Sequence, residues 1–356
     1  MNIKSAQIVL PTSDLIASLE FFTGRLAFRL EMIMPADSPS AAVISGNGIT
    51  IRFEKGDAGS SEVFVKLLCN YETLAKFPEH EFTAPGGIRI QLVEHPAPIA
   101  VPPVKSEFVV TRANESAWTT GRAGMQYRNL IPGNLGSAVI ASHIRIPEGG
   151  EPRDYVHYHR ILFQMIYCRA GWARLVYEDQ GPPFVMNAGD CVLQPPGIRH
   201  RVLETSDGFE VVEIGCPAVH ETFVDHDMPL PNIEINPEKL FGGQCFLHSK
   251  ASSAKWNREK IEGFAVRDTG IRNAAGGIAN ARIIQGSNAS FCGKRSEEFL
   301  FYFVLRGEAA ISSPETGAHA LGTGDSCVMS PCLGHNIHAG EELQILEVSI
   351  NGLTGA

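Results

Sequence analysis

Hydrophobic and polar positions alternate in short runs along most of the chain, and glycine or proline turns separate the runs. Alternation with a period of two is typical of half-buried β-strands. Between residues 106 and 232 these runs are SAVIASHIRI, FQMIYCRAGWARLVYE, PFVMNAGDCVLQPP, RHRVLE and FEVVEIGCP. Such closely spaced strands and turns predict an all-β sandwich or barrel.

The first 95 residues have a different pattern. The run AQIVLP predicts a strand, and Ser13 or Asp14 can cap a helix after it. In that helix the apolar residues recur at helical spacing, at Leu15, Ile16, Leu19, Phe22 and Leu26. Several strand-like runs follow, so residues 1–95 predict a small α+β module of the order βαβββ.

A proline-rich segment follows this module. Residues 96–105, PAPIAVPPVK, are uncharged until Lys105 and predict a stiff, extended linker. The β-rich region 106–232 then forms a first domain, and residues 233–356 form a second.

The second β-rich region repeats the first. Arg128 and Asn134 correspond to Arg267 and Asn273 at a single offset of 139 residues. An internal repeat of this length indicates two copies of one fold. The predicted fold class is therefore mainly β, with two tandem barrels behind one α+β module.

Composition restricts the classes of function. The net charge of −9 argues against a nucleic-acid partner or an anionic membrane surface. No apolar stretch approaches the roughly 18 residues that a transmembrane helix needs, and the N-terminus lacks a signal-peptide pattern. The 8 cysteines include no C-x-x-C pair, which predicts reduced thiols in a cytoplasmic protein.

The strongest chemical signal lies between residues 157 and 200. His157, His159, Gln164 and Gly171 have the spacing H-x-H-x4-Q-x6-G, and Gly189, Pro195, Gly197 and His200 have the spacing G-x5-P-x-G-x2-H. Residues two apart in a strand point to the same face, so the first two histidines can enter one cavity. Gln164 and His200 would come from two further strands. Three imidazoles and one amide oxygen predict a site for one divalent metal such as zinc, iron, nickel or copper.

These two motifs resemble the conserved motifs of the cupin superfamily. The family pattern usually has glutamate where Gln164 stands, a glycine one residue after Gly150, and asparagine where Glu204 stands. The resemblance implies a jelly roll, or double-stranded β-helix, in each β-rich region, and thus a bicupin. It also implies that His157, His159, Gln164 and His200 together bind one metal per chain, expected to be iron, zinc or nickel.

The second copy lacks this ligand set. Gly293, Arg295 and Leu300 stand at the positions that match the first two histidines and the glutamine. Only His335 remains, at the position of the last histidine, and His338 is out of register with the pattern. We expect this copy to bind no metal and to have a structural role.

Gln164 in place of glutamate has an electrostatic consequence. Three histidines and a glutamine form a neutral ligand set, so the bound metal would keep its full double charge. This charge strengthens Lewis acidity and favours an anionic oxygen substrate such as a carboxylate, enolate or catecholate.

Strand parity suggests catalytic candidates around the metal. Counting by two from His200 places Val202 and Glu204 on the inward face of their strand. His143 and Arg145 share one face of an earlier strand, and the sequence leaves open whether that face is the interior. If it is, both can bind an anionic substrate or transfer a proton.

Tyr127 and Arg128 are weaker candidates for the same role.

The N-terminal stretch IVLPTSDLIASLEFFTGRLAFRLE, with residues 84–87 before the last strand, resembles the glyoxalase/bleomycin-resistance (vicinal oxygen chelate) module. That family takes metal ligands from the first and last strands of each module, near Gln7 and Glu94 here. A full site usually needs two modules and the sequence shows one, so these two residues are interpreted as ordinary strand residues.

The bicupin resemblance implies two classes of enzyme and one class without catalysis. The preferred interpretation is a dioxygenase that cleaves a small aromatic or enol substrate with O2. The alternatives are a non-redox zinc or nickel isomerase, lyase or cyclase, and a small-molecule binding or sensor protein. Exposed sheet edges and a single N-terminal module also predict a homodimer.

Overall fold

The computed structural model divides the chain into two compact units, residues 1–99 with 221–225 and residues 100–220 with 226–356. The residues it describes are 3–25, 27–46, 48–56, 64–83, 89–121, 124–293, 298–330 and 333–353. Leu26, Arg295 and the segment 84–87, which were named in the predictions from the sequence, lie outside them. Within these ranges no helix combines the length and the apolar character needed to cross a membrane.

The first unit is an α+β sheet. Its elements in residues 1–99 are β1 (Ile3–Thr12), α1 (Leu15–Arg25), β2 (Arg29–Met34), β3 (Ala41–Gly46), β4 (Ile49–Lys55), β5 (Phe64–Cys69), α2 (Tyr71–Leu74), β6 (Glu81–Thr83) and β7 (Arg89–Glu94). The Asp14 carboxylate accepts a hydrogen bond from the Ala17 backbone N–H at 3.0 Å, and this bond caps α1. The helix then packs Leu15 and Leu19 into the same apolar core as Phe53.

The elements β1 to β4 with α1 confirm the predicted βαβββ order. The sheet continues beyond them, in the order β2-β3-β4-β1-β5-β7-β6. Strand β5 runs parallel to β7 with α2 between them in sequence, as β1 runs parallel to β4 with α1 between them. The sequence analysis found one module, whereas the unit contains a second, shorter arrangement of the same kind.

The first copy of the repeat contains β8 (Val109–Thr111), β9 (Thr119–Thr120), β10 (Gln126–Asn129), the short turn α3 (Asn134–Ser137), β11 (Ile140–Ile146), β12 (His157–Arg160), β13 (Phe163–Ala170), β14 (Trp172–Tyr177), β15 (Phe184–Asn187), β16 (Cys191–Leu193), β17 (His200–Thr205) and β18 (Phe209–Cys216). The next strand, β19 (Glu221–Val224), belongs to the first unit, where it pairs with β2.

The second copy contains β20 (Leu240–Phe241), β21 (Gln244–Cys245), β22 (Leu247–Ser249), a 3-10 turn (Ala251–Ser253), β23 (Trp256–Ile261), β24 (Phe264–Asp268), α4 (Ile271–Ala274), β25 (Ala279–Gly286), β26 (Ser290–Gly293), β27 (Phe299–Arg306), β28 (Glu308–Ser313), β29 (Gly317–Gly322), β30 (Ser326–Met329), β31 (His335–Ala339) and β32 (Leu343–Ile350).

Each copy folds into a two-layered barrel. Barrel 1 has the strand order β15-β14-β17-β12 in one layer and β22-β16-β13-β18-β11-β10-β9 in the other. Barrel 2 has β26-β31-β28-β29 in one layer and β23-β24-β25-β32-β27-β30-β8 in the other. These paired antiparallel layers confirm the predicted jelly-roll fold class.

The two barrels exchange one strand each. Strand β8, which precedes barrel 1 in the chain, pairs with β30 of barrel 2. Strand β22, which precedes barrel 2, pairs with β16 of barrel 1. The exchange covers an edge strand of each large sheet, and exposed edges would otherwise invite pairing with other chains.

The two large sheets pack face to face around an apolar core shared by both barrels. Phe163 and Ile214 of barrel 1 lie in this core with Phe301 and Val348 of barrel 2. Separate apolar cores fill the interiors of barrel 1 and barrel 2. Alternate residues of β13 and β18 therefore face either the barrel interior or the other barrel.

The arginines that recur in the sequence repeat make reciprocal contacts across this interface. The Arg128 guanidinium donates to the Gly324 carbonyl at 2.9 Å, and the Arg267 guanidinium donates to the Gly189 carbonyl at 2.7 Å. Each arginine thus holds the equivalent turn of the other barrel, which explains their conservation between the two copies.

Candidate metal centre

Three histidines converge inside barrel 1. His157 on β12 pairs directly with His200 on β17, and His159 follows two residues later on the same face of β12. All three side chains are buried. One ring nitrogen from each lies within 4.8 Å of the other two, and no other His, Cys, Asp or Glu cluster of this kind occurs among the described residues.

Backbone carbonyls fix the orientation of two of these rings. The Nδ1–H of His157 donates to the Tyr155 carbonyl at 2.7 Å, and the Nδ1–H of His200 donates to the Ile198 carbonyl at 3.1 Å. Because a carbonyl can only accept, Nδ1 carries the proton and Nε2 carries the lone pair that a metal needs. This arrangement is typical of metal-binding histidines, so the residues fit a divalent metal.

The buried Asp154 carboxylate supports the ring of His157. The Asp154 Oδ1 atom lies 3.5 Å from His157 Nδ1, and its Oδ2 atom accepts the Val202 backbone N–H at 2.9 Å. Asp154 therefore ties the loop before β12 to the strand β17 that carries His200. The ring of Tyr177 stacks on His200 at a centroid distance of 5.4 Å.

Gln164 faces the same interior but its amide is already engaged. Its Oε1 accepts a hydrogen bond from Gln194 Nε2 at 2.8 Å, and Gln194 Oε1 accepts one from the Tyr177 hydroxyl at 2.8 Å. All three side chains are buried. A carbonyl oxygen has two lone pairs, so the bond from Gln194 leaves one for a metal.

Gln194 and Tyr177 were not predicted from the sequence as residues of the site. Gln194 directly precedes Pro195 of the second motif, and this position could have indicated that its side chain lies near the histidines. Burial raises the pKa of the Tyr177 hydroxyl far above its usual range, so this group stays protonated.

Glu213 is a further polar group of the interior that the sequence analysis missed. On β18 it pairs with Ile166 on one side and Ser142 on the other, two positions from the pair of Gln164 with Gly215. Residues two apart share a face, so Glu213 and Gln164 both face the interior. The Glu213 charge adds to burial in raising the pKa of Tyr177, which places this carboxylate in the same electrostatic environment.

His220 is a fourth imidazole beside the site. It lies in the loop after β18, buried, with its ring centroid 5.4 Å from that of His159. Its Nδ1–H donates to the Pro217 carbonyl at 3.0 Å. Burial lowers its pKa below the ordinary value, which favours the neutral ring. No motif marked this loop residue in the sequence.

His143 and Arg145 do not line the metal pocket, contrary to the candidate catalytic role. His143 pairs with Val212 and thereby with Tyr167, on the face of the sheet opposite to Gln164. It contacts the Arg128 guanidinium and the Glu210 carboxylate, both at 2.9 Å.

Strand β11 is covered on both faces. The side chains of His143 and Arg145 lie on the face that is turned toward barrel 2. The His143 ring lies 5.8 Å from that of Phe303 of barrel 2. Arg145 Nε donates to Gln126 Oε1 at 2.6 Å, and its guanidinium lies 4.0 Å above the Trp118 ring. The hydrogen bond from His143 lowers the pKa of Glu210 to about 2.

Glu204 also lies outside the pocket, and a β-bulge is the reason. Val202 pairs with Leu175, but Glu204 pairs with Arg174, so Leu203 is an extra residue on β17. The extra residue reverses the parity that placed Glu204 inward. Its carboxylate instead forms an ion pair with Arg174 at 3.0 Å, and both side chains are 43% exposed.

The weaker candidates have structural roles. Tyr127 packs in the apolar interior of barrel 1 with Ile144, and Arg128 forms the inter-barrel contact described above. In the first unit, Gln7 lies opposite Lys66 and Glu94 lies opposite Cys69. These last two therefore occupy ordinary ladder positions, as interpreted from the sequence.

The corresponding pocket of barrel 2 is filled by its own side chains. A Cβ atom built on Gly293 would lie 2.3 Å from His335 Nε2, so the His335 ring occupies the space of a side chain at that position. His335 Nε2 also forms a hydrogen bond with the Tyr302 hydroxyl at 2.9 Å. Leu300, at the position of Gln164, lies in the apolar core of this barrel.

Comparisons with known proteins agree with this fold. Residues 142–214 match the family model of the cupin domain. The structure is similar to that of a Lactobacillus farciminis oxalate decarboxylase solved as a formate complex, with a TM-score of 0.51 and 16% sequence identity; the match covers 71% of this chain and 89% of that chain. It is also similar to the oxalate decarboxylase of Bacillus subtilis, studied for its Mn(II) centres, with a TM-score of 0.50 and 13% sequence identity; this match covers 68% of this chain and 77% of that chain.

None of the curated proteins matches this chain at a significant level. The family model supports a cupin domain at residues 142–214. At these identities the solved structures show the fold alone, which is a bicupin arrangement of two barrels. The resemblance of the N-terminal module to the glyoxalase/bleomycin-resistance family stays a prediction.

Proposed function

We propose that barrel 1 is a metal-dependent enzyme site that acts on a small oxygenated or anionic organic molecule. The observation that carries this proposal is the convergence of three buried histidines whose ligand nitrogens lie within 4.8 Å of one another. The expected metals are iron, zinc and nickel. Manganese is a further candidate, because the Bacillus subtilis oxalate decarboxylase has Mn(II) centres.

A divalent metal at this site supplies Lewis acidity, and iron supplies redox chemistry with O2 as well. The protein's own contribution is a neutral set of three imidazoles, with the amide of Gln164 beside them. Because these ligand side chains carry no negative charge, they would leave the full charge of a bound divalent metal to attract an anionic oxygen of the substrate. Asp154 and the two backbone carbonyls hold the imidazole rings in place before any ligand arrives.

We propose dioxygenase chemistry as the preferred reaction type. Three imidazoles approach from β12 and β17, while the Gln164 amide is tied to Gln194. His157, His159 and His200 would hold the metal, and so small a set of protein ligands would leave room beside it for a substrate and O2. The buried aromatic ring of Tyr177 covers one face of the His200 ring.

A non-redox isomerase, lyase or cyclase is the second candidate, and Glu213 is the observation that favours it. This carboxylate faces the same interior as Gln164 and can accept a proton from a substrate at Oε1 or Oε2. Proton transfer beside a Lewis acid needs no O2. Oxalate, which the names of the two decarboxylases give as their substrate, is a small anion of the proposed kind.

The test begins with protein purified without added metal. Elemental analysis should find about one divalent transition metal per chain. An oxygen electrode should then detect O2 uptake with one member of a panel of small carboxylates, enols and catechols, and His157→Ala should abolish it. Turnover without O2 uptake that is lost in Glu213→Gln would replace the dioxygenase by the non-redox enzyme. Tight ligand binding without turnover would contradict catalysis and favour a binding protein.

A further inference from the structure

His220 has no role in the proposed metal set, yet it is the fourth imidazole of the pocket. We propose that His220 is a substrate-binding residue, whose Nε2 accepts a hydrogen bond from a hydroxyl group next to the anionic oxygen that reaches the three-histidine site. The substrate class would then be hydroxylated anions, such as 2-hydroxy acids or catecholates. This inference rests on the proposed function of barrel 1.

The position of His220 inside the barrel follows from Gly215. Gly215 pairs with Gln164 and has its missing side chain on the interior face. A Cβ atom built there would lie 3.7 Å from His220 Cε1 and 3.1 Å from Ile161 Cδ1. The imidazole therefore packs over Gly215, next to Gln164 and beside His159.

The tautomer of His220 makes it a hydrogen-bond acceptor toward the pocket. The Pro217 carbonyl takes the Nδ1–H at 3.0 Å, so a neutral ring carries its lone pair on Nε2. The nearby side chains of Ile161 and Ile140 cannot donate a hydrogen bond to that atom. A ligand hydroxyl in this space can donate a hydrogen bond to the Nε2 lone pair.

His220 lies outside the group of nitrogens that could hold one metal ion. That group contains His157, His159 and His200, whose ligand atoms lie within 4.8 Å of one another, and His220 is not a member. Its ring is nevertheless only 5.4 Å from that of His159. This is the spacing at which a molecule bound to the metal through one oxygen can present an adjacent hydroxyl to a second group.

The first test uses Co(II)-loaded protein, whose visible absorption reports ligand binding, and two probes. Glycolate and methoxyacetate share a carboxylate, but methoxyacetate has no O–H to donate. Wild-type protein should prefer glycolate, and His220→Phe should reduce that preference about tenfold. His220→Phe should keep its Co(II) content and its affinity for methoxyacetate. His220→Gln retains a carbonyl acceptor and should restore part of the preference.

The control is His338→Phe, which removes an exposed imidazole from barrel 2 and should leave the preference unchanged. An equal preference for glycolate in wild type and His220→Phe would overturn the inference. Failure of wild-type protein to take up Co(II) would contradict the metal site itself, so the two failures are distinguishable.

A second measurement needs no variant. In Zn(II)-loaded protein labelled with 15N-histidine, the His220 Nε2 resonance should move on addition of glycolate and stay in place on addition of methoxyacetate. A resonance that responds equally to both probes, or to neither, would overturn the inference even if His220→Phe failed to fold.

Discussion

The two barrels carry a carboxylate at the same interior position and treat it differently. In barrel 2, Glu347 pairs with Arg282 across the β25–β32 ladder, and the guanidinium binds its two oxygens at 2.6 and 3.1 Å. In barrel 1, Glu213 occupies the equivalent position of the β11–β18 ladder and pairs with Ser142. Barrel 1 thus has an uncharged serine where barrel 2 has an arginine, and Glu213 lies on the interior face of its strand.

The same contrast holds around the histidines. In barrel 1 the rings of His157 and His200 converge with their ligand nitrogens within 4.8 Å of each other, whereas the His335 ring of barrel 2 fills the space beside Gly293 and binds Tyr302. In barrel 2, His335 binds Tyr302 and Glu347 binds Arg282, whereas in barrel 1 three histidines and Glu213 lie on interior faces of their strands.

The largest effect on stability should come from breaking the internal pair of barrel 2. Arg282→Ala removes the guanidinium that binds the buried Glu347 carboxylate, and breaking a buried ion pair typically costs about 3–5 kcal/mol. Ser142→Ala, at the matching place in barrel 1, should cost less than about 1 kcal/mol. Urea unfolding of both variants measures this difference, and equal losses would show that the two interiors do not differ as described.

For metal affinity, a substitution in barrel 1 should have a large effect and the matching substitution in barrel 2 should have none. His157→Ala removes one imidazole of three and should weaken metal binding more than about 100-fold, beyond the effect of removing an outer hydrogen-bond partner. His335→Ala is the matched control and should leave metal content unchanged. Competition with a chelator measures both affinities. Metal lost equally from both variants would mean that barrel 2 takes part in binding.

Gln164 should have a smaller effect, which also defines its role. Gln164→Glu adds a negative charge next to the three imidazoles and should tighten metal binding by about tenfold. The same charge lowers the Lewis acidity of the site, so a non-redox reaction should slow while an oxidative one can persist. Gln164→Ala should still retain metal on three histidines.

Gln194→Leu is the matched control for this series, because it removes the bond to Gln164 Oε1 and leaves Gln164 itself in place. If neither Gln164 variant changes the affinity measured with a chelator, Gln164 belongs to the pocket wall and the metal has three protein ligands.

The smallest effect concerns the thermal stability of the protein at acidic pH, and it involves the face of barrel 1 that is turned toward barrel 2. The folded state lowers the pKa of Glu210 from 4.5 to about 2, with the His143 hydrogen bond as the largest cause. A carboxylate with a lowered pKa stabilises the fold above its unfolded pKa and loses that contribution as pH falls toward its folded pKa. Glu210→Gln should therefore unfold at a lower temperature at neutral pH, and the gap to wild type should narrow as pH falls from 4.5 toward 2.

The control for this titration is Gln344, the uncharged residue that matches Glu210 in barrel 2 and pairs with Gln285. Gln344→Ala should shift the melting temperature by the same amount across that pH range. A gap for Glu210→Gln that stays constant with pH would show that the His143 contact does not set the Glu210 titration.

The sequence contained enough to predict the barrels and the three histidines. Both depend on local rules: the period of two along a strand and the fixed spacing of turn residues around His157 and His200. The ligand set needed no knowledge of distant contacts, because β12 and β17 are brought together by the motif that carries the histidines.

The remaining site residues depended on information that is not local. Both faces of β11 are covered, so Ala141 and Ile144 are buried on opposite sides and the pattern could not show which face holds His143. One extra residue, Leu203, reversed the parity that had placed Glu204 inward. The exchange of β8 and β22 between barrels joins segments far apart in the chain, and no alternation pattern reveals it.

Anomalous diffraction tests the central claim most directly. Crystals grown from protein loaded with a divalent transition metal should be measured at the absorption edge of that metal. We predict a single strong peak per chain, between the Nε2 atoms of His157, His159 and His200, and no peak beside His335. A peak of equal height in barrel 2, or a metal held away from the three histidines, would contradict the account.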